Sequence, residues 1–137
     1  MLPARTVSVS IDRPPATVYA FVADAFNLPR WAPGFCSAIS ADANVEHGWK
    51  ITTPDGAAHA RFAPPNAAGI VDHWVTLAGR DTEVYVPLRV VANEAGSEVL
   101  LTVFRQASMS DGQHEADVAA VRGDLARLKE LLESRPA

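Results

Sequence analysis

Ser110-Asp111-Gly112-Gln113-His114-Glu115-Ala116-Asp117-Val118-Ala119-Ala120-Val121-Arg122-Gly123-Asp124-Leu125-Ala126-Arg127-Leu128-Lys129-Glu130-Leu131-Leu132-Glu133 is the stretch on which the fold turns. His114, Val118, Val121, Leu125, Leu128 and Leu132 recur at spacings of four and three, which puts them in one stripe along a helix. Ser110 and Gln113 form the Ser-x-x-Gln capping box, and Asp111 adds the negative charge that a helix N-terminus favours. The pattern predicts a helix over 111–133, about 35 Å long at 1.5 Å per residue. Gly123 costs such a helix about 1 kcal/mol relative to Ala. It either permits a bend or a close approach, or it is neutral.

Working outward, the start of the chain alternates. Val7, Val9 and Ile11 lie on one face and Ser8 and Ser10 on the other, which predicts a half-buried strand over Arg5 to Asp12. Pro14-Pro15 stops that strand and suits the first turn of a helix. Val18, Phe21 and Val22 then mark an amphipathic helix ending near Asp24. Asn27 to Gly34 holds two prolines and a glycine and reads as a short helical turn. From Phe35 to Gln106 short apolar runs are broken at Ala41 to Asn44, Pro54-Asp55-Gly56, Pro64-Pro65-Asn66, Ala78 to Asp81 and Glu94-Ala95-Gly96. Those breaks predict an antiparallel meander of about six strands. Strand, two short helices, strands and one long helix make an α+β class, one sheet on one dominant helix.

This order resembles the START-like or SRPBCC superfamily, in its polyketide cyclase/dehydrase-like branch. The carriers are Val7-x-Val9-x-Ile11, Pro14-Pro15-x-x-Val18-Tyr19-x-Phe21-Val22-x-Asp24, Leu28-Pro29-x-Trp31 and the closing Asp124-Leu125-x-x-Leu128-Lys129-x-Leu131-Leu132-Glu133. The resemblance implies a helix-grip: a curved antiparallel sheet of about seven strands wrapped around a long C-terminal helix, with a cavity between them. It also implies an apolar ligand of lipid, steroid, hormone or polyketide type. Those motifs belong to the fold, and the superfamily has no common catalytic set to carry over.

The chain's 137 residues suit one domain spanning 1–137, large enough to fold without a metal or a disulfide. One cysteine, Cys36, allows no internal disulfide and reads as a small apolar filler. Four scattered histidines lack metal-site spacing, so no metal is expected, and no other cofactor. No Gly-x-Ser-x-Gly motif or Gly-rich phosphate loop occurs. The net charge of −4 argues against a nucleic-acid surface. Without a signal-like N-terminus or a run near 18 apolar residues, a cytoplasmic protein is expected.

Turn chemistry proposes a register. A two-residue Gly79-Arg80 loop sets Val75 opposite Val84, His73 opposite Val86 and Val71 opposite Leu88. A three-residue loop with Gly96 left-handed pairs Asn93 with Ser97, then sets Val86 opposite Phe104, Leu88 opposite Thr102 and Val90 opposite Leu100. The face toward the helix then carries His73 among apolar residues that include Leu100, Thr102 and Phe104. The other face carries Asp72, Trp74, Tyr85, Arg89, Leu101, Val103 and Arg105. The expected ligand-lining residues are Trp31, Phe35, Trp49, Phe62, His73, Val86, Leu88, Phe104, His114, Val118 and Val121, with Trp31 near the mouth.

Three functional readings remain open on these residues. The leading one is binding of an apolar or aromatic small molecule between sheet and helix. The second is a cyclase or dehydratase, with His73 as general base and Tyr85, Arg89 and Arg61 as donors to an enolate oxygen. The expected register sets Tyr85 and Arg89 across the sheet from His73, which counts against it. The third is an interaction module, such as a homodimer, using Trp74 and Tyr85 on the second face.

Overall fold

In the first strand Val7 and Ile11 are buried while Thr6, Ser8 and Ser10 face water, as the alternation requires. The computed structural model describes residues 1–135; Pro136 and Ala137, the end of the expected 1–137 domain, lie outside the described residues. In chain order the elements are β1 (Ala4–Ile11), α1 (Pro15–Ala23), a tight turn of helix at Ala25–Asn27, α2 (Leu28–Trp31), β2 (Ala38–Ala41) and β3 (Gly48–Thr53). Then come β4 (Gly56–Phe62), β5 (His73–Leu77), β6 (Glu83–Val86), β7 (Leu88–Asn93), β8 (Gly96–Phe104) and α3 (Asp111–Glu133).

All strand pairings are antiparallel, in the orders β1-β8-β7 and β2-β3-β4-β5-β6. The two ladders are one curved sheet broken at Pro87. There the chain passes from β6 to β7 in a single run, and the Pro87 carbonyl still accepts from Thr102 N–H at 3.0 Å. Counting β6 and β7 together gives the expected seven strands. α1 rests on β7 and β8, α3 lies chiefly along β1 and β8, and α2 sits between α3 and β2.

Two positions explain how the loops close on this frame. Gly69 has φ of 73°, and a Cβ there would stand 2.1 Å from the Val90 carbonyl oxygen, so only glycine lets this loop pass so close to β7. Asn66 fastens the same loop: its side-chain oxygen accepts from Ala68 and Ile70 N–H, and its own N–H donates to the Tyr19 hydroxyl oxygen on α1. The helix ends also follow the sequence. Pro15 opens α1, and the Ser110–Gln113 box is complete in both directions. Gly123 has nothing within 4 Å of where a Cβ would be, so it serves no close approach in this chain.

One register differs from expectation. His73↔Val86 and Val75↔Val84 form as predicted, and Val71 N–H donates to the Leu88 carbonyl. In the β7–β8 hairpin, however, Asn93 pairs with Gly96, not Ser97. The loop is the two residues Glu94-Ala95, and the positive φ of 50° falls on Glu94. This one-residue slip turns β8 over. Val99 and Leu101, both buried, join Leu88 and Val90 on the face toward the helices. Leu100, Thr102 and Phe104 move to the outer face.

Candidate functional site

The inner face of β4–β6 sets Phe62, His73 and Val86 in one row and Ala60, Val75 and Val84 in the next. His73 is 4% exposed and stacks on Phe62, with ring centroids 4.8 Å apart. Its Nδ1–H donates to the Val71 carbonyl at 3.2 Å, which leaves Nε2 as an acceptor without a protein partner among the described residues. Burial holds its pKa below the ordinary histidine value, against smaller upward pulls from the Val71 hydrogen bond and Asp72. The ring is therefore neutral near pH 7, a state suited to accepting a hydrogen bond or a proton.

Trp31, expected near a mouth, is 3% exposed and part of the core, because α2 is pressed between α3 and β2. Its Nε1–H is buried with no acceptor among the described residues. Leaving such a donor unpaired costs about 1–3 kcal/mol, so each instance needs a reason. The half-buried aromatic is Trp49, packed edge-on against the exposed Phe26 at 4.9 Å. Phe35 is also half-buried, whereas Phe62, Leu88 and Val118 are buried. Val86 and Val121 lie partly buried against the same core.

α3 adds two carboxylates that the apolar stripe concealed. Asp117 and Asp124 flank Val121 at spacings of four and three, so they share its side of the helix. Burial alone raises Asp124 to about 6. Partial loss of water raises Asp117, His114 pulls it back, and Asp55 pushes it up further. The pattern Asp117-x-x-x-Val121-x-x-Asp124 was the available sequence signal.

Other expected members lie elsewhere. His114 is buried, and its Nε2–H donates to the Val103 carbonyl at 3.0 Å, tying helix to strand. Phe104 lies on the outer face, 6.1 Å from Tyr85, because of the β8 slip. The donors considered for catalysis are outside as well. Tyr85 stacks on Trp74, and Arg61 lies over the other ring face of that pair at 4.3 Å from the Trp74 centroid. Arg89 grips Asp72 with two bonds of 2.7 Å, and the Tyr85 hydroxyl donates to the same carboxylate at 2.6 Å. None of the three shares a face with His73. Arg105, expected beside Trp74 and Tyr85, instead pairs with Asp111. Cys36 is fully buried, and burial raises its thiol pKa, which suits a filler and not a nucleophile.

Two hollows, both shallow and open to solvent, lie on the surface of the described residues, and neither lies between His73 and α3. One, about 420 Å³, runs along the outer side of α3 between Arg5, Glu115 and Arg122. The other, about 280 Å³, lies on the outer face of β2–β4. The interior under α3 is occupied by one continuous cluster of core side chains.

No family model and no curated protein matches the chain. Solved structures do. The protein XoxI from Bacillus cereus superposes with a TM-score of 0.78 at 17% identity, covering 97% of this chain and 97% of that one. The Zhui aromatase/cyclase from Streptomyces sp. R1128 superposes with a TM-score of 0.75 at 14% identity, over 98% of this chain and 96% of its own. The fold is a helix-grip. Ara h 8.0201 carries it too, with a TM-score of 0.71 at 16% identity over 98% of this chain and all of that one. The SRPBCC resemblance read from the sequence is thus borne out for the fold. Among the described residues no helix is long and apolar enough to cross a membrane.

Proposed function

We propose that the chain binds an apolar or aromatic small molecule, of lipid or polyketide type, between the inner sheet face and α3. The observation that carries this reading is an unpartnered polar atom in an apolar interior, the Trp31 Nε1–H donor, with the buried His73 ring as a second polar group on the inner sheet face. A mostly apolar wall with a few polar groups is the usual make-up of a ligand pocket. Entry requires core side chains to give way. The half-buried Trp49 and Val121, with the exposed Phe26, are the ones with least to lose. The lining set extends to Phe35, Phe62, Val86, Leu88 and Val118, with His114 as a support, while Phe104 stands outside it on the other sheet face. A cytoplasmic location and a single domain over 1–137 are part of the same proposal.

The cyclase or dehydratase reading comes second. It draws support from the aromatase/cyclase fold match and from a neutral, buried His73. With Tyr85, Arg61 and Arg89 across the sheet, its acid would have to be Asp124, whose raised pKa lets it hold a proton near pH 6. A homodimer through Trp74 and Tyr85 has no comparable support, since those rings are engaged with Arg61, Asp72 and Phe104.

Fluorescence titration with anilinonaphthalene sulfonate tests the binding reading. Saturable binding is expected, weakened about three- to tenfold in Trp31→Phe and in His73→Leu, the value of one hydrogen bond each. Binding that is absent, or indifferent to both substitutions in folded protein, would remove the interior site.

A further inference from the structure

The hollow on the outer face of β2–β4 holds a cluster that the interior site does not use. In register across three strands stand Ser40, Lys50 and His59, and beside them Ala38, Thr52 and Ala57. These six side chains surround the 280 Å³ hollow, the two alanines leaving its floor low. His59 is held from behind. Gly48 has no side chain, and a Cβ there would stand 2.5 Å from the Cβ of Val45, so the 42–47 turn folds down onto this face. That turn tucks Asp42 beside β4, where its Oδ2 lies 3.3 Å from His59 Nδ1. The Asp42 side chain is 6% exposed and also accepts the Asn44 N–H at 3.0 Å. The Asn44 N–H holds its carboxyl below the ordinary range against burial, with help from His59 and Lys50. Asp42 therefore stays ionised and takes the Nδ1–H, which turns His59 Nε2 away from it.

Lys50 and His59 are directly opposed on neighbouring strands. A lysine and a histidine in that relation leave room for an anion between them. Beside them on this face Arg61 and Glu83 pair with each other at 3.4 Å. Ser40, Lys50 and Thr52 are exposed at this hollow. We propose that this hollow binds a phosphate group, held by the Lys50 ammonium and the His59 ring, with the Ser40 and Thr52 hydroxyls donating to its remaining oxygens. Charge-assisted hydrogen bonds from a fixed histidine and a lysine suit a compact oxyanion better than an apolar ligand. The site is independent of the interior one, and its failure would leave that reading untouched.

Amide NMR spectra titrated with inorganic phosphate at constant ionic strength provide the test. Saturable shifts are expected at Ser40, Lys50, Thr52 and His59. Lys50→Gln and His59→Gln, both exposed and both expected to leave the remaining spectrum unchanged, should each weaken binding about tenfold or more. A second arm uses phosphatidylcholine vesicles with and without phosphatidic acid; binding there alone, lost in Lys50→Gln, would identify a lipid headgroup as the source of the phosphate. Shifts reproduced by chloride, shifts unaffected by both substitutions, or none in either arm would overturn the proposal.

Discussion

Asp72 and Asp124 are both carboxylates drawn away from water, and their surroundings push them in opposite directions. Burial raises Asp72, but the Arg89 and Tyr85 side chains and the Leu88 N–H outweigh it and hold the carboxyl at about 2. The unfolded chain takes up that proton near pH 4, so Asp72 stabilises the fold fully above about pH 4 and loses the effect as pH falls to about 2. The linked amount is roughly 2 kcal/mol. Asp72→Asn should cost about 2–4 kcal/mol at pH 7 and much less at pH 2, read by urea unfolding at both. The half-exposed Arg89 keeps the loss below that of a fully buried pair. Asp124 has no partner among the described residues, and burial alone raises it to about 6. Its charge therefore opposes folding fully above about pH 6 and not at all below about pH 4. Asp124→Asn should stabilise the protein by about 1–2 kcal/mol at pH 7, with the gain gone at pH 4 in the same urea series. A variant that is neutral at both values would show that Asp124 is well solvated.

At the scale of elements, α3 divides between support and wall. Leu125, Leu128 and Leu132 are buried against β1, β8 and α2, while Val121 is only partly covered. Leu128→Ala should cost about 2–5 kcal/mol and Val121→Ala about 1 kcal/mol or less. Val121→Ala should change anilinonaphthalene sulfonate binding more than Leu128→Ala does, measured on folded protein by fluorescence. Equal loss per deleted methylene with unchanged probe binding would make this half of α3 ordinary core. α3 was legible because its apolar stripe, cap and charges agree. β8 was not. Val99, Leu100 and Leu101 are apolar at consecutive positions, so alternation could not choose a face, and the decision fell to a turn rule. The rule assigned the left-handed residue to Gly96, whereas Glu94 takes it at a φ of 50°. Phe104 consequently lies outside and not in the expected lining.

For the whole molecule, strand order, helix order and the inward side of His73 could be read from periodicity and turn residues. What could not be read depends on contacts far apart in sequence. Trp31 lacks an acceptor among the described residues only because α2 is pressed between α3 and β2. Asp42 meets His59 only because the 42–47 turn folds back over Gly48. The central claim is that the interior under α3 takes an apolar guest although core side chains now fill it. Native mass spectrometry of the protein purified from its own host tests that claim most directly. The account predicts one molecule per chain of a largely apolar organic compound, retained under gentle ionisation and depleted in Trp31→Phe. A chain that emerges at its bare mass, and takes up no fatty acid or polyaromatic compound when these are supplied, would contradict it.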